Sequence, residues 1–179
     1  MKSGSARHGG RSPPYQNTMT APILTFAVGN ESRGDDALAP LLVRSLEGRA
    51  ETAGRVELLE DYQLQVEHVT DLSGRSAVLF VDADISCAEP FHFSEIAAAH
   101  DNSYTSHAMT PFALLHTYRQ VYGTDAPPAF LLRIRGYDFE LGNPLSDRAA
   151  ANLEAATKLV RELCAEADLP RWRACLPDR

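Results

Sequence analysis

The chain reads as an α/β protein, a three-layer sandwich with a mainly parallel central sheet flanked by helices, and three observations predict this. Apolar runs of strand length at 22–28, 55–62, 77–83 and 129–134 alternate with segments of helical period, the order in which βαβ units build a parallel sheet. The first and third runs lack polar alternation, as strands buried on both faces do. Start and stop signals bracket the helical segments, among them Thr110-Pro111 at a start and Gly48 and Gly123 at stops.

The first run, 22–28, ends in Gly29, and a polar loop leads to Asp35 and Asp36. Carboxylates are favoured here, because the unpaired N–H groups and the positive dipole end of a helix N-terminus lie close by. Neighbouring positions in a first turn point in different directions. If Asp35 caps the helix, Asp36 is free to face the crevice outside the strand ends, where open parallel sheets bind ligands. Leu38, Leu41, Leu42 and Leu46 then recur at helical spacing. Pro40 lacks an N–H and is tolerated only in a first turn, so this helix begins near Asp36 or Ala37.

The second run, 55–62, leads through Gln63 and Leu64 into a short helix at 66–72, stopped by Gly74. The third, 77–83, is the clearest buried strand and carries Asp82 at its C-terminal end. A carboxylate there is costly unless it is paired, metal-bound or at the crevice edge. Residues 84–105 form a variable connection with one possible strand near 91–96. After Ser106 and His107, Thr110 reads as an N-cap and Pro111 as the first helical residue, with Phe112, Leu115, Tyr118 and Tyr122 as the stripe. The last strand, 129–134, precedes an aromatic and acidic loop at 136–142. Ser146 caps a final helix in which Leu153, Ala156, Val160 and Leu163 share one face.

A length of 179 residues suits one domain with a core that needs no covalent staple. The expected organisation is a disordered N-terminal tail at 1–20, a single α/β domain at 21–168 and a C-terminal tail at 169–179. The first twenty residues are rich in Ser, Gly, Pro and Arg and lack the apolar stretch of a secretory signal; Met19 offers a second candidate start. A formal charge of -7 argues against a general nucleic-acid binder, which needs clustered positive charge. No run is long enough to span a membrane. Cys87, Cys164 and Cys175 form no C-x-x-C pair, and their odd number fits a reducing cytoplasm.

Asp36, Asp82 and His107 stand at three strand-to-helix junctions, which a parallel sheet lines up along one edge. Two oxygens and one nitrogen form an incomplete coordination set for a divalent transition metal, with positions left for a ligand. The competing reading is a capping aspartate, a strand-end aspartate and a loop histidine. His68, His92, His100 and His116 lack partners at ligand spacing. Cys87 lies soon after Asp82, but no fixed Cys-His arrangement supports a thiol nucleophile. No Gly-x-Ser-x-Gly, His-Glu-x-x-His or P-loop occurs.

Gly29-Asn30, Gly34-Asp35-Asp36, Phe80-Val81-Asp82-Ala83, Ser106-His107 and the loop from Gly136 to Gly142 resemble, in this order, the hydrogenase maturation proteases. These endopeptidases trim a C-terminal extension from the large subunit of nickel-iron hydrogenases. The wording of the first motif is similar to that of members serving soluble, NAD-coupled hydrogenases. The resemblance implies a cytoplasmic, monomeric peptidase whose partner is the nickel-loaded large-subunit precursor. It further implies that Asp36, Asp82 and His107 are the metal-contacting and catalytic residues, with the nickel carried by the substrate and no resident cofactor. Ala37 departs from the family pattern, where glycine is common, and so does Glu31, where small or apolar residues are common. Asn30 and Arg33 are read as positioning substrate or bracing their loop, and Asp138 and Glu140 as touching the precursor's tail or forming an exposed turn. A non-catalytic nickel-sensing chaperone or binding module is the alternative function, because no conventional nucleophile is recognisable.

Overall fold

A computed structural model describes residues 20–99, 109–166 and 168–177. The expected N-terminal tail up to Met19, together with His100 and His107, lies outside the described residues. Within them the strands are β1 (Ile23–Val28), β2 (Val56–Asp61), β3 (Ala77–Asp84), β4 (Phe91–Ile96) and β5 (Ala129–Arg135). The α-helices are α1 (Leu38–Leu46), α2 (Pro111–Tyr122), α3 (Asp147–Glu166) and α4 (Leu169–Ala174), with 3-10 turns at Gly34–Ala37 and Val66–Thr70.

One sheet holds the five strands in the order β2-β1-β3-β5-β4. The pairs β1/β2, β1/β3 and β3/β5 are parallel, whereas β4 runs antiparallel to β5 at the edge. The connection expected at 84–105 therefore contains an ordered edge strand. From β1 the chain steps outward to β2 and then back across to β3. The order reverses between β1 and β3, and the crevice beyond their C-terminal ends is the topological switch point where open sheets of this kind bind ligands.

Strand alternation sends side chains to two cores. Ile23, Ala27, Leu79, Val81, Phe130 and Leu132 meet α1, α3 and α4 on one face, while Leu24, Phe26, Val78, Phe80 and Leu131 meet α2 and the Val66–Thr70 turn on the other. Both faces are covered, which is why these runs carry no polar alternation. Asp82 follows Val78 and Phe80 at the two-residue period, so it belongs to the α2 face.

Local signals act where the sequence places them. Thr110 Oγ1 accepts from Ala113 N at 3.2 Å, with Pro111 opening α2 and Gly123 closing it at φ 69°. Pro40 sits in the first turn of α1, and Ala37, at φ -69°, has no need of the glycine common elsewhere. Residues 169–174 correct the expectation of a C-terminal tail, because they form α4. Trp172 is only 1% exposed, meets Phe130 edge-on at 5.0 Å between centroids, and donates its indole N–H to Leu163 O at 2.8 Å. The aromatic area buried by this one residue is what orders a six-residue helix too short to stand alone.

Candidate functional site

The loop from Gly29 to Asp36 leaves β1 at the switch point. Gly29 is required by crowding, since a Cβ there would lie 2.2 Å from the Asp36 carbonyl oxygen. Gly34 combines φ +53° with a space in which a Cβ would lie 2.5 Å from Asp138 O. These contacts draw the loop against the segment after β5. Asp35 N donates to Asp138 O at 2.7 Å, Gly34 N to Asn143 O at 3.1 Å and Gly142 N to Ser32 O at 2.7 Å.

Asp35 corrects the expected cap. None of its side-chain hydrogen bonds goes to the turn Gly34–Ala37 in which it sits. Fully buried, it accepts four hydrogen bonds: Tyr137 N at 2.7 Å, Asp138 N at 3.0 Å, Ser146 N at 2.8 Å and Ser146 Oγ at 2.9 Å. Burial pushes its pKa up, but these donors outweigh burial and hold it below the usual carboxylate range. Ser146 Oγ also accepts from Ala149 N at 3.2 Å, so one hydroxyl links Asp35 to the start of α3.

Asp36 is placed differently. It is half-buried, and its Oδ2 accepts from Asn30 N at 3.0 Å. Burial raises its pKa, against the opposing effects of the Asn30 hydrogen bond and the Arg33 charge. Asp82, also half-buried, is perturbed further. Burial pushes its carboxyl up to about 7, a hydrogen bond from Ala83 N opposes this, and the negative charges of Asp36 and Asp84 add to it. The charge of Asp36 is thus felt at Asp82. Two half-buried carboxylates whose pKa values are both raised suit a cation. Among the described residues no group of three or more His, Cys, Asp or Glu side chains is assembled for a metal. His107, the third residue of the expected set, lies outside the described residues.

The other candidates separate clearly. Asn30 Oδ1 accepts from Ser32 N at 2.9 Å and Arg33 Nε donates to Phe139 O at 3.3 Å, so both brace the loop. Glu31 pairs with Arg44. Asp138 accepts from Glu140 N at 2.9 Å and Asn143 Nδ2 at 2.7 Å, an internal brace of its own loop. His68 Nδ1 accepts from Gln65 N at 3.0 Å and its ring meets Phe26 edge-on. Cys87 is buried, with its pKa raised by burial and the Asp84 charge, the opposite of an activated nucleophile. Cys164 is buried too, with its pKa pushed up to about 12.

Beside Asp82, on the α2 face, a cleft of about 320 Å³ opens between the ends of β1, β3 and β5 and the start of α2, and Gln63 stands on its rim. Gln63 stands two residues after β2. Its share in the cleft follows from the path of 62–64, where Leu64 bridges to Met109.

No family model and no curated protein matches the chain. Solved structures do match it, and its structural neighbours are hydrogenase maturation proteases. The hydrogenase maturating endopeptidase HybD from E. coli superposes with a TM-score of 0.64 at 22% identity, covering 81% of this chain and 93% of that one. The [NiFe] hydrogenase maturation protease HycI from Thermococcus kodakarensis KOD1 gives 0.61 at 20% identity, covering 81% and 92%. The hydrogenase 2 maturation peptidase from a Thaumarchaeota archaeon gives 0.55 at 22% identity, covering 78% and 95%. At these identities what is shared is the fold, nearly from end to end of the neighbours.

Proposed function

We propose that the protein is an endopeptidase that removes the C-terminal extension of a nickel-loaded hydrogenase large-subunit precursor. The observation that carries this reading is the placement of two half-buried carboxylates, Asp36 after β1 and Asp82 at the end of β3, beside the switch point of a fold shared with such proteases. Asp36, Asp82 and His107 contribute the oxygens and nitrogen that complete the coordination of the substrate's nickel. The metal arrives with the precursor, so the site has no cation of its own to offset the Asp36–Asp82 repulsion until substrate docks. Loaded precursor then relieves that repulsion and unloaded precursor does not, which couples recognition to nickel insertion.

Seating the nickel fixes the chain end that carries it. Holding a scissile peptide in one geometry supplies a large share of a hydrolytic rate enhancement, and a metal beside the carbonyl can polarise it or activate water. Hydrolysis also needs a group to take a proton from water and return it to the departing amine. A carboxylate oxygen of Asp36 or Asp82 that does not contact the metal is placed to make that exchange. The buried thiols of Cys87 and Cys164 offer no covalent route.

The test is incubation of purified protein with nickel-loaded and nickel-free precursor, with the products weighed by mass spectrometry. Cleavage of the loaded form alone is expected. Full-length precursor held in a tight complex would instead identify a nickel-sensing binding module, and equal cleavage of both forms would overturn metal recognition.

A further inference from the structure

The cleft beside Asp82 has more structure than metal recognition requires. Val28, Leu64, Phe80, Met109 and Leu131 make its floor and walls. Phe80 lies two residues back along β3 from Asp82, about 7 Å deeper at strand spacing, and Leu131 is its register partner on β5. The interior is therefore apolar, and the carboxylate stands at the mouth. A volume of about 320 Å³ is at the small end of ligand pockets, enough for one or two side chains and too little for a large cofactor. Met109, unbranched and adaptable, forms part of the wall.

Gln63 stands on the rim. It is exposed, and its carboxamide has no hydrogen-bond partner among the described residues. A carboxamide offers both donors and an acceptor, which is what a passing peptide backbone needs. Exposed apolar side chains gather at this end of the sheet as well: Tyr62, 74% exposed, follows β2, and Ile85, 63% exposed, follows β3.

We infer that this cleft is a subsite for one apolar side chain of the substrate, from a residue flanking the scissile bond, and that Gln63 hydrogen-bonds the backbone of that segment. The inference rests on the proposed peptidase reading and adds to it a determinant of sequence specificity. An acidic side chain at this position would enter the negative field of Asp36 and Asp82. A basic one would leave its charge in the apolar interior or compete with nickel for Asp82. An aliphatic side chain fills the floor and leaves the mouth free.

The experiment uses the full chain and nickel-loaded precursor. Mass spectrometry of the products locates the cut, and each of the three residues on either side is replaced in turn by Leu, Ala, Phe, Asp or Arg. One position is expected to favour Leu, with kcat/KM about 10–200-fold lower for Ala and lower again for Asp and Arg. Leu131→Ala, which enlarges the floor, shifts the preference at that position towards Phe; Leu131→Phe, which narrows it, shifts the preference towards Ala. Should one of these variants not fold, the other alone decides the matter, because a change in rank order cannot come from general damage. Gln63→Ala is expected to raise KM about tenfold with kcat retained, as loss of uniform binding does. A preference for Arg, no apolar preference at any position, or a preference that neither Leu131 variant moves overturns the subsite while leaving the peptidase reading intact. Failure of the wild-type protein to cut the unsubstituted loaded precursor overturns the peptidase reading, and the subsite with it.

Discussion

Asp35 gives its carboxylate to four donors from the segment after β5, while Asp36, the next residue, accepts from one backbone N–H and adds its charge to the field at Asp82. The same residue type, one position apart, serves two regions with opposite electrostatics. In the first region hydrogen bonds outweigh burial and the carboxylate is stabilised as an ion. In the second, burial prevails and raises both carboxyls, with like charge adding to the effect at Asp82. A fold can carry such a site because the neighbouring clamp holds the loop in place.

The sharpest way to break this comparison is to remove charge from each region separately. Asp36→Asn and Asp82→Asn are expected to slow processing of loaded precursor by about a thousand-fold or more, since mispositioning alone costs about a hundred-fold. Stability should be unchanged or should rise by on the order of 1 kcal/mol for Asp82→Asn at pH 8, because a poorly solvated charge is lost. Rate assays and urea unfolding would show both effects.

Asp35→Ala should do the reverse. It strands the buried N–H groups of Tyr137, Asp138 and Ser146, each costing about 1–3 kcal/mol. A loss of roughly 3 kcal/mol or more in urea unfolding is expected. Full stability in this variant would remove the clamp from the account.

A packing change remote from both regions serves as the control. Trp172→Ala is expected to cost about 3–5 kcal/mol by opening a core void, while the fraction still folded processes precursor at the wild-type rate. Loss of processing in that fraction would mean that α4 acts on the site.

The smallest effect is in pH. Asp82 has a folded pKa raised from 3.8 to about 7, so the folded state holds a proton that the unfolded state has released. Its contribution to stability is fully present below about 4 and is lost as pH rises through about 7. Asp35 has the opposite sign: its folded pKa is lowered, so its contribution is present above 3.8 and lost as pH falls through the lower folded value. The stabilities of Asp82→Asn and wild type should run parallel below about pH 4, draw apart between about 4 and 7, and keep a constant gap above 7. A difference that stays constant between those two pH values would contradict the burial of Asp82.

The sequence reveals the second region far better than the first. Asp82 ends an uninterrupted apolar run, and Asp36 stands where a loop meets a helix, so both stand out from their immediate neighbours. Thr110-Pro111 marked the start of α2 for the same local reason. The clamp on Asp35 joins positions 102 to 111 residues apart, and a helix cap explains the same residue from its neighbours alone. Strand β4 was visible only as a weak run, because an edge strand is covered less and carries a mixed pattern. Residues 169–174 read as part of a tail because six residues are too few to show a helical period, and only the burial of Trp172 against Phe130 shows otherwise.

X-ray absorption at the nickel edge, taken on loaded precursor before and after addition of the protein, tests the central claim most directly. The account predicts added oxygen and nitrogen neighbours around the nickel with the wild-type chain, and fewer with Asp36→Asn or Asp82→Asn. A nickel environment that stays the same when the protein binds would contradict it.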